Sequence, residues 1–363
     1  MIQQKAKGLN SRSEAIPYLE DGFLPLITAP MYSVVDDSNY QLFLDNKIQV
    51  CLPRRTSYLP QDFQKSFLSI SLSDFKTLFI NNHHLFVVIG KKKKVCIDTA
   101  NGNMPQLHEA IREAKNIHGD DLIIMAGNVS SVEAFVELAK TGADYIRVGI
   151  GGGSGCNTTN NTGVGQENLS ELIYWCKKTQ KMNLREFAKT NTPTTIHQTT
   201  LDNLTKVKIV ADGISSYIKL CQQKYNFNDN GYAAIIKLLN VGADLVMIGG
   251  LFAQCYESAG EKAFAINKET RSSQDLVKVS GMSTIEEQTK YKEPTNLGTQ
   301  DLSVPRLKPS EGSTKWVPVR WTLENWLQGS DKQDEYPYLN GFVNSLKSAM
   351  SYIGSRTLNE FKS

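Results

Sequence analysis

The 363-residue sequence contains no Cys-x-x-Cys pair. Its six cysteines stand apart at 51, 96, 156, 176, 221 and 255, which excludes a spacing-encoded zinc site and points to free thiols in a reducing setting. No stretch approaches the roughly 18 consecutive apolar residues of a membrane span. The first residues carry no apolar signal-peptide core, so the expectation is a cytoplasmic protein with no membrane partner. Neither sign of charge dominates: Lys+Arg number 40 against 37 Asp+Glu, a formal net charge of +3, too balanced to argue for a nucleic-acid partner. The short run Lys91–Lys94 reads as a solvated loop beside a strand. There is no internal repeat, no Walker phosphate loop, and no Gly-x-Gly-x-x-Gly opening a helix. What remains is 40% hydrophobic with 26 Gly and 12 Pro, an ordinary globular composition and enough chain for one large α/β domain.

Eight short apolar runs read as buried strands: 24–29, 48–52, 67–72, 95–99, 122–126, 145–150, 207–211 and 245–248. Helical spacing fills most intervals, at 74–85, 105–116, 132–140, 169–178 and 232–239. Counted out, these make an α/β protein of the (β/α)8 TIM-barrel class, with an open doubly wound sheet as the alternative. The barrel is favoured because polar or glycine residues follow so many strands: Thr28, Asp98, Asn101, Asn128, Ser154, Asp212 and Gly249. In a barrel those ends converge on one face, where active sites sit. The expected organisation is a single domain over 1–363 with insertions near 180–205 and 214–230. A long flap at about 284–310 crosses the C-terminal face, and a final helical stretch at 340–362 packs back on the barrel.

The sixth run empties into Gly149-Ile150-Gly151-Gly152-Gly153-Ser154-Gly155-Cys156-Asn157-Thr158-Thr159. Glycines let backbone N–H groups turn toward an anion without Cβ clashes. Ser154 adds a hydroxyl, and Cys156 is a thiol that a local positive potential could activate as a nucleophile. The residues alone fit a phosphate cradle beside a nucleophile. They fit equally a glycine-rich loop with an incidental thiol.

The same stretch resembles the active-site loop of the IMP dehydrogenase/GMP reductase family, whose pattern is Gly-Ile-Gly-Pro-Gly-Ser-x-Cys-Thr-Thr-Arg followed by Gly-Val-Gly. Gly163-Val164-Gly165 stands at the family's distance from the cysteine. The resemblance extends, with gaps, over roughly 11–360 and includes Thr28-Ala29-Pro30-Met31, Asp98-Thr99-Ala100-Asn101-Gly102, Ala126-Gly127-Asn128-Val129, Asp212-Gly213, Gly249-Gly250, Gly281-Met282-Ser283 and Ser310-Glu311-Gly312. The 98–102 and 126–129 segments resemble the reductase branch, and the chain has no room for the regulatory CBS insertion of the dehydrogenases. After Met282 the flap lacks the Arg-Tyr pair of the dehydrogenases and resembles the reductase up to Lys290-Tyr291. Several positions depart from the family pattern. Gly152 replaces Pro, Asn157 replaces Thr, Thr159 replaces Arg, Tyr32 replaces an acid and Val279 replaces Tyr. Lys308 stands for the reductase Arg, and the turn after Asp212 is one glycine short.

The resemblance implies a GMP reductase-like enzyme with NADPH as cofactor, with an NAD-dependent IMP dehydrogenase or a non-catalytic purine-nucleotide-binding barrel as alternatives. Carried over residue by residue, Cys156, Thr158 and Glu311 would be catalytic. Thr28, Met31, Ser154, Asp212, Gly213, Gly249, Gly250, Gly281, Met282, Ser283, Lys308 and Gly312 would bind a purine nucleoside monophosphate. Asp98, Thr99, Ala100, Ile150 and Gly151 would contact the cofactor, with Ser11, Arg12 and Arg54 as further candidates. Gly151, Gly153 and Cys156 would offer a site for a monovalent cation such as K+. The family also implies a homotetramer.

Overall fold

A computed structural model of the chain describes residues 9–55, 57–59, 61–86, 92–153, 156–166, 168–187, 202–226, 228–266, 273–280, 313–330 and 341–362. Eight parallel strands form the centre: β1 (Leu26–Thr28), β2 (Cys51–Leu52), β3 (Phe67–Ile70), β4 (Lys93–Ile97), β5 (Leu122–Val129), β6 (Tyr145–Val148), β7 (Lys208–Ala211) and β8 (Leu245–Ile248). From β2 onward each pairs with the next in sequence, and β8 returns to pair with β1. The remaining seam, between β1 and β2, is closed by backbone bonds. Thr28 N–H donates to Gln49 O at 3.0 Å, and Gln49 N–H donates to Leu26 O at 3.1 Å. The architecture is the expected (β/α)8 barrel.

Alternation along the strands sorts side chains into two cores. In β5, Ile123 and Met125 face the barrel interior while Leu122 and Ile124 join the layer beneath the helices. In β8, Leu245 and Met247 point in, and Val246 and Ile248 point out. The outer layer is completed by helices whose apolar residues recur at helical spacing. In the helix Pro105–His118 these are Leu107, Ala110, Ile111 and Ala114, all buried. Proline starts this helix, where its missing N–H is harmless. The helix Val132–Ala139 is started by Ser131, whose hydroxyl accepts from Ala134 N–H at 3.1 Å.

Several elements differ from the sequence expectation. The stretch at 74–85 is three short pieces, Leu72–Lys76, a wider π-type turn at Thr77–Asn81, and His83–Phe86. The helix expected at 169–178 runs on over Leu169–Phe187, through the start of the presumed 180–205 insertion. The 214–230 insertion is a regular helix, Ile214–Tyr225, ended by Asn226 in the left-handed conformation. A separate three-stranded antiparallel sheet was not anticipated: β9 (Lys262–Ile266), β10 (Ser273–Ser280) and β11 (Thr314–Pro318). The flap at 284–310 lies outside the described residues. Among the described residues, no helix is long and apolar enough to cross a membrane.

After β11 the chain supplies an aromatic knot on the barrel's outside. Trp326, on helix Leu323–Gln328, stacks on Phe342 at 5.3 Å between centroids and meets Tyr232 and Phe252 at 5.2 and 5.4 Å. Its indole N–H donates to Asn230 O at 3.0 Å, so the buried polar atom is satisfied. Trp326→Ala is expected to lower unfolding free energy by about 3–5 kcal/mol, read as a shift of the urea midpoint at constant slope. A shift below about 1 kcal/mol would mean that the knot is not part of the core.

Candidate active site

The strand ends converge as the barrel requires, and one side chain organises four of them. Arg147, on β6, points inward and is 6% exposed. Its Nη2 donates to Asp98 Oδ1, beyond β4, at 3.0 Å. Its Nε donates to Asn128 Oδ1, on β5, at 2.8 Å and lies 3.4 Å from Asp212 Oδ2, beyond β7. Its Nη1 reaches Cys96 Sγ at 3.4 Å. Asn128 Nδ2 donates to Asp212 Oδ2 at 2.8 Å and to Gly149 O at 2.7 Å. Arg54 Nη2 holds the other oxygen of Asp98 at 3.1 Å.

Electrostatics follow from this packing. Burial by itself would raise the Asp98 pKa, but Arg147 and Arg54 outweigh it and hold the carboxyl below its ordinary value. Burial would lower the Arg147 pKa, and Cys96, Asp98 and Asp212 together raise it. Beneath the guanidinium, burial pushes the Cys51 thiol up, while its hydrogen bond with Cys51 draws Cys96 down.

The glycine loop is held against the Asp212–Gly213 turn by backbone contact. A Cβ on Gly149, whose φ is +129°, would lie 2.2 Å from Asp212 O. A Cβ on Gly152 would lie 2.0 Å from Gly213 O. Gly152 O in turn accepts from Ser216 N–H at 2.9 Å. Two departures from the family pattern therefore fit each other. Gly213 O, in the turn that is one glycine short, lies against position 152, where glycine leaves room that a Cβ would fill.

Cys156 sits in the same loop. Its amide donates to Gly153 O at 3.1 Å and its thiol to Thr158 Oγ1 at 3.2 Å. Thr158 opens the short helix Thr158–Thr162. Ile150 N–H donates to Gln166 Oε1 at 3.0 Å, so Gln166 braces the loop's start. Asp212 is itself positioned by Gly213 N–H, which donates to Oδ1 at 2.7 Å.

Other expected site residues fall in different places. Thr28 is fully buried, and its hydroxyl is engaged with the Cys51 backbone, accepting from N–H at 2.9 Å and donating to the carbonyl at 3.3 Å. Met31 lies over Gly249, where an added Cβ would be 2.9 Å from its Sδ, and Gly250 starts the helix Gly250–Ala253. Thr99 Oγ1 donates to Gly127 O at 2.8 Å, and Ala100 is exposed beside it. Ser11 and Arg12 form a turn beside the C-terminal helices, Arg12 donating to Ser348 Oγ at 3.4 Å. Among the described residues no hydrogen bond or ion pair ties that turn to the Asp98–Asp212 cluster. Ser154, Gly281, Met282, Ser283, Lys308, Glu311 and Gly312 lie outside the described residues. Arg147 and Gln166 were missed by sequence reasoning. For Arg147 a signal existed: a charge at the inward parity of an apolar strand.

The cysteines are unequal. Cys156 is part-exposed and the other five are buried. Burial pushes the Cys176 thiol up to about 12 and raises Cys255 well above its ordinary value. Under native conditions iodoacetamide should therefore label one thiol fast, and Cys156→Ser should remove that phase in a mass-spectrometric time course. Comparable labelling of any other cysteine would refute this. Gly152→Ala is expected to destabilise the fold by roughly 1–3 kcal/mol, and a glycine inserted after Gly213 to recover most of that loss. Equal thermal midpoints for Gly152→Ala and wild type would remove the coupling between loop and turn.

Comparison with known proteins agrees with this geometry. A family model described as "IMP dehydrogenase / GMP reductase domain" matches residues 87–190 and 227–363. The inosine-5'-monophosphate dehydrogenase of Chlorobaculum tepidum is 28% identical over 268 residues, covering 74% of this chain and 43% of that protein. The GMP reductase of Caenorhabditis elegans is 27% identical over 301 residues, 83% of this chain and 65% of that protein. GMP reductase 1 of Rattus norvegicus is 28% identical over 268 residues, 74% of this chain and 59% of that protein. The chain thus spans less than two thirds of the length of these relatives. With a family model covering most of its length and a barrel that carries the loop, the thiol and the strand-end carboxylate in family order, the chain belongs to the IMP dehydrogenase/GMP reductase family.

Proposed function

We propose that the protein is a purine nucleotide oxidoreductase of the GMP reductase type, converting GMP to IMP and ammonia. The observation that carries this reading is Cys156: the one cysteine not buried, on the glycine loop, with Thr158 Oγ1 3.2 Å from its sulfur. The Cys156 thiolate attacks purine carbon 2 and a C–S bond forms. The amino group leaves as ammonia, with protons delivered through Thr158 and Glu311. The product is a covalent thioimidate, which divides one difficult displacement into two easier steps. A bound nicotinamide nucleotide, NADPH in this reading, supplies the hydride for carbon 2. The C–S bond then breaks and Cys156 is regenerated.

The surrounding residues support this assignment. In this reading Asp212 would accept from the ribose hydroxyls, and Gly249 and Gly250 would bring bare backbone amides to the phosphate together with Ser154 and the Gly213 turn, whose own amide is committed to Asp212 Oδ1. By family resemblance Met31 would frame the base, together with Gly281, Met282, Ser283 and Gly312, and Lys308 would add positive charge. The nicotinamide nucleotide fits beside Asp98, Thr99, Ala100, Ile150 and Gly151, where Arg54 Nε is buried without a hydrogen-bond partner. The carbonyls of Gly151, Gly153 and Cys156 are oxygen donors suited to a monovalent cation. That of Gly153 already accepts the Cys156 amide and keeps one lone pair. The homotetramer and the cytoplasmic setting belong to the same proposal.

Absorbance at 340 nm tests it. GMP should cause loss of NADPH absorbance, and Cys156→Ala should slow that loss by on the order of 10^4-fold. A rise with IMP and NAD in place of that loss would assign the dehydrogenase reaction, the second reading, which relatives of that name favour. Nucleotide binding with silence in both assays would leave a binding barrel.

A further inference from the structure

Arg147 has no role in the scheme above, yet it touches both halves of the site. We propose that Arg147 is a positioning residue that makes the purine-nucleotide and nicotinamide subsites interdependent. One guanidinium fixes the carboxylates of Asp98 and Asp212 together, so that filling either subsite sets the other. This rests on the assignment of Asp212 to the nucleotide and Asp98 to the cofactor.

The geometry leaves little freedom. A guanidinium is planar, with five donors in a fixed fork. Here Nη2 is committed to Asp98 and Nε to Asn128 Oδ1, with Asp212 Oδ2 3.4 Å from Nε. Asn128 cannot turn its amide over without loss. Its oxygen takes Arg147, while its nitrogen serves Asp212 Oδ2 at 2.8 Å and Gly149 O at 2.7 Å. The chain of contacts from Asp98 to Asp212 is therefore continuous. It also reaches the glycine loop through Gly149. Each carboxylate retains lone pairs beyond those the protein uses, since an ionised carboxylate has about four acceptor sites.

A ligand hydroxyl that donates to one carboxylate withdraws charge from it. The shared guanidinium then binds the other carboxylate more strongly, because hydrogen bonds in a buried network polarise one another. The titratable groups facing Asp98 are Arg54 and Arg147, Cys51 and Cys96 beneath, and Asp212 across the fork. Only Arg147 faces both carboxylates among these contacts. A lysine would keep the charge and lose the fork.

Calorimetric titration of the full chain tests this with GMP and NADP+, a pair with no hydride to transfer and therefore no reaction, as probes, each alone and each in the presence of the other, for wild type, Arg147→Lys and Arg147→Met. In wild type each ligand should change the other's affinity by about tenfold. In Arg147→Met the coupling factor should fall to one and GMP should bind roughly tenfold more weakly. The acid limb of NADP+ binding should move to higher pH, because Asp98 loses one of the two cations that hold its pKa down. Arg147→Lys should restore the acid limb and most GMP affinity without restoring the coupling. If the Met variant fails to fold, the Lys variant decides through the coupling factor alone.

A wild-type coupling factor of one overturns the proposal, as does unchanged coupling in the variants. A purely structural role would lower the melting temperature of the variants and leave the coupling of the folded fraction intact, which also overturns it. Wild type that couples GMP and NADP+ but shows no GMP-dependent loss of NADPH absorbance rejects the reductase chemistry and supports the coupling. Wild type that binds none of GMP, IMP and NADPH rejects both.

Discussion

A guanidinium sealed into the mouth of the barrel sets the relative positions of four successive strand ends. Arg147 is buried, and its partners Asp98, Asn128 and Asp212 come from the strands on either side of its own or from just beyond them. Removing any one partner leaves a buried charge or donor unsatisfied, which is far more costly than losing a surface pair. The four groups therefore hold one arrangement together. Asp98 stays ionised because of it, and Asn128 carries the constraint outward to the Gly149 carbonyl. The loop that bears Cys156 begins from that fixed point.

The second constraint is steric. The loop and the turn after β7 meet backbone to backbone, so closely that Gly149 and Gly152 have no room for a Cβ. Thr159 fills the inside of the loop in the same way. A Cβ on Gly151 would lie 1.8 Å from its Oγ1, and that hydroxyl donates to Val164 O at 2.8 Å. Three of the departures from the family pattern meet here. Gly152, the shortened Asp212 turn and Thr159 lie in a single contact region. There a smaller residue at one place admits a closer backbone at another.

Much of this was legible in the residues. Eight apolar runs of strand length, most of them followed by polar or glycine residues, are what a parallel barrel demands, because its strands are buried on both faces. The barrel and its order followed from that pattern. The antiparallel sheet β9–β11 did not. Its strands are amphipathic, with Phe264, Ile266 and Trp316 exposed. Its third member pairs Val277 with Val317 across a long sequence separation, which local periodicity cannot register. At the site, the glycines, Cys156 and Asp212 announced themselves by type. Arg147 was hidden because a single basic residue in an apolar strand looks like an interruption. Only the parity of the strand, with Ile146 and Val148 in the outer layer, shows that Arg147 faces inward.

The interior of the barrel is graded, and the gradient explains where its stability is given up. Phe67, Met125, Val210, Leu245 and Met247 make a dry, close-packed core. At the C-terminal mouth this gives way to two carboxylates and two guanidiniums, with Ser69 Oγ and Arg54 Nε buried and unpartnered. Apolar groups of similar volume would pack there at no desolvation cost, and in other proteins such replacements are often neutral or stabilising by about 1–4 kcal/mol. Charges placed at the open end of an otherwise apolar barrel are therefore poorly explained as a device for folding. In the proposed function they have another explanation: the mouth receives ligands with hydroxyls and anionic groups, beside a single accessible thiol. Polarity that an apolar core would reject is thereby placed where, in the proposed function, binding compensates for it.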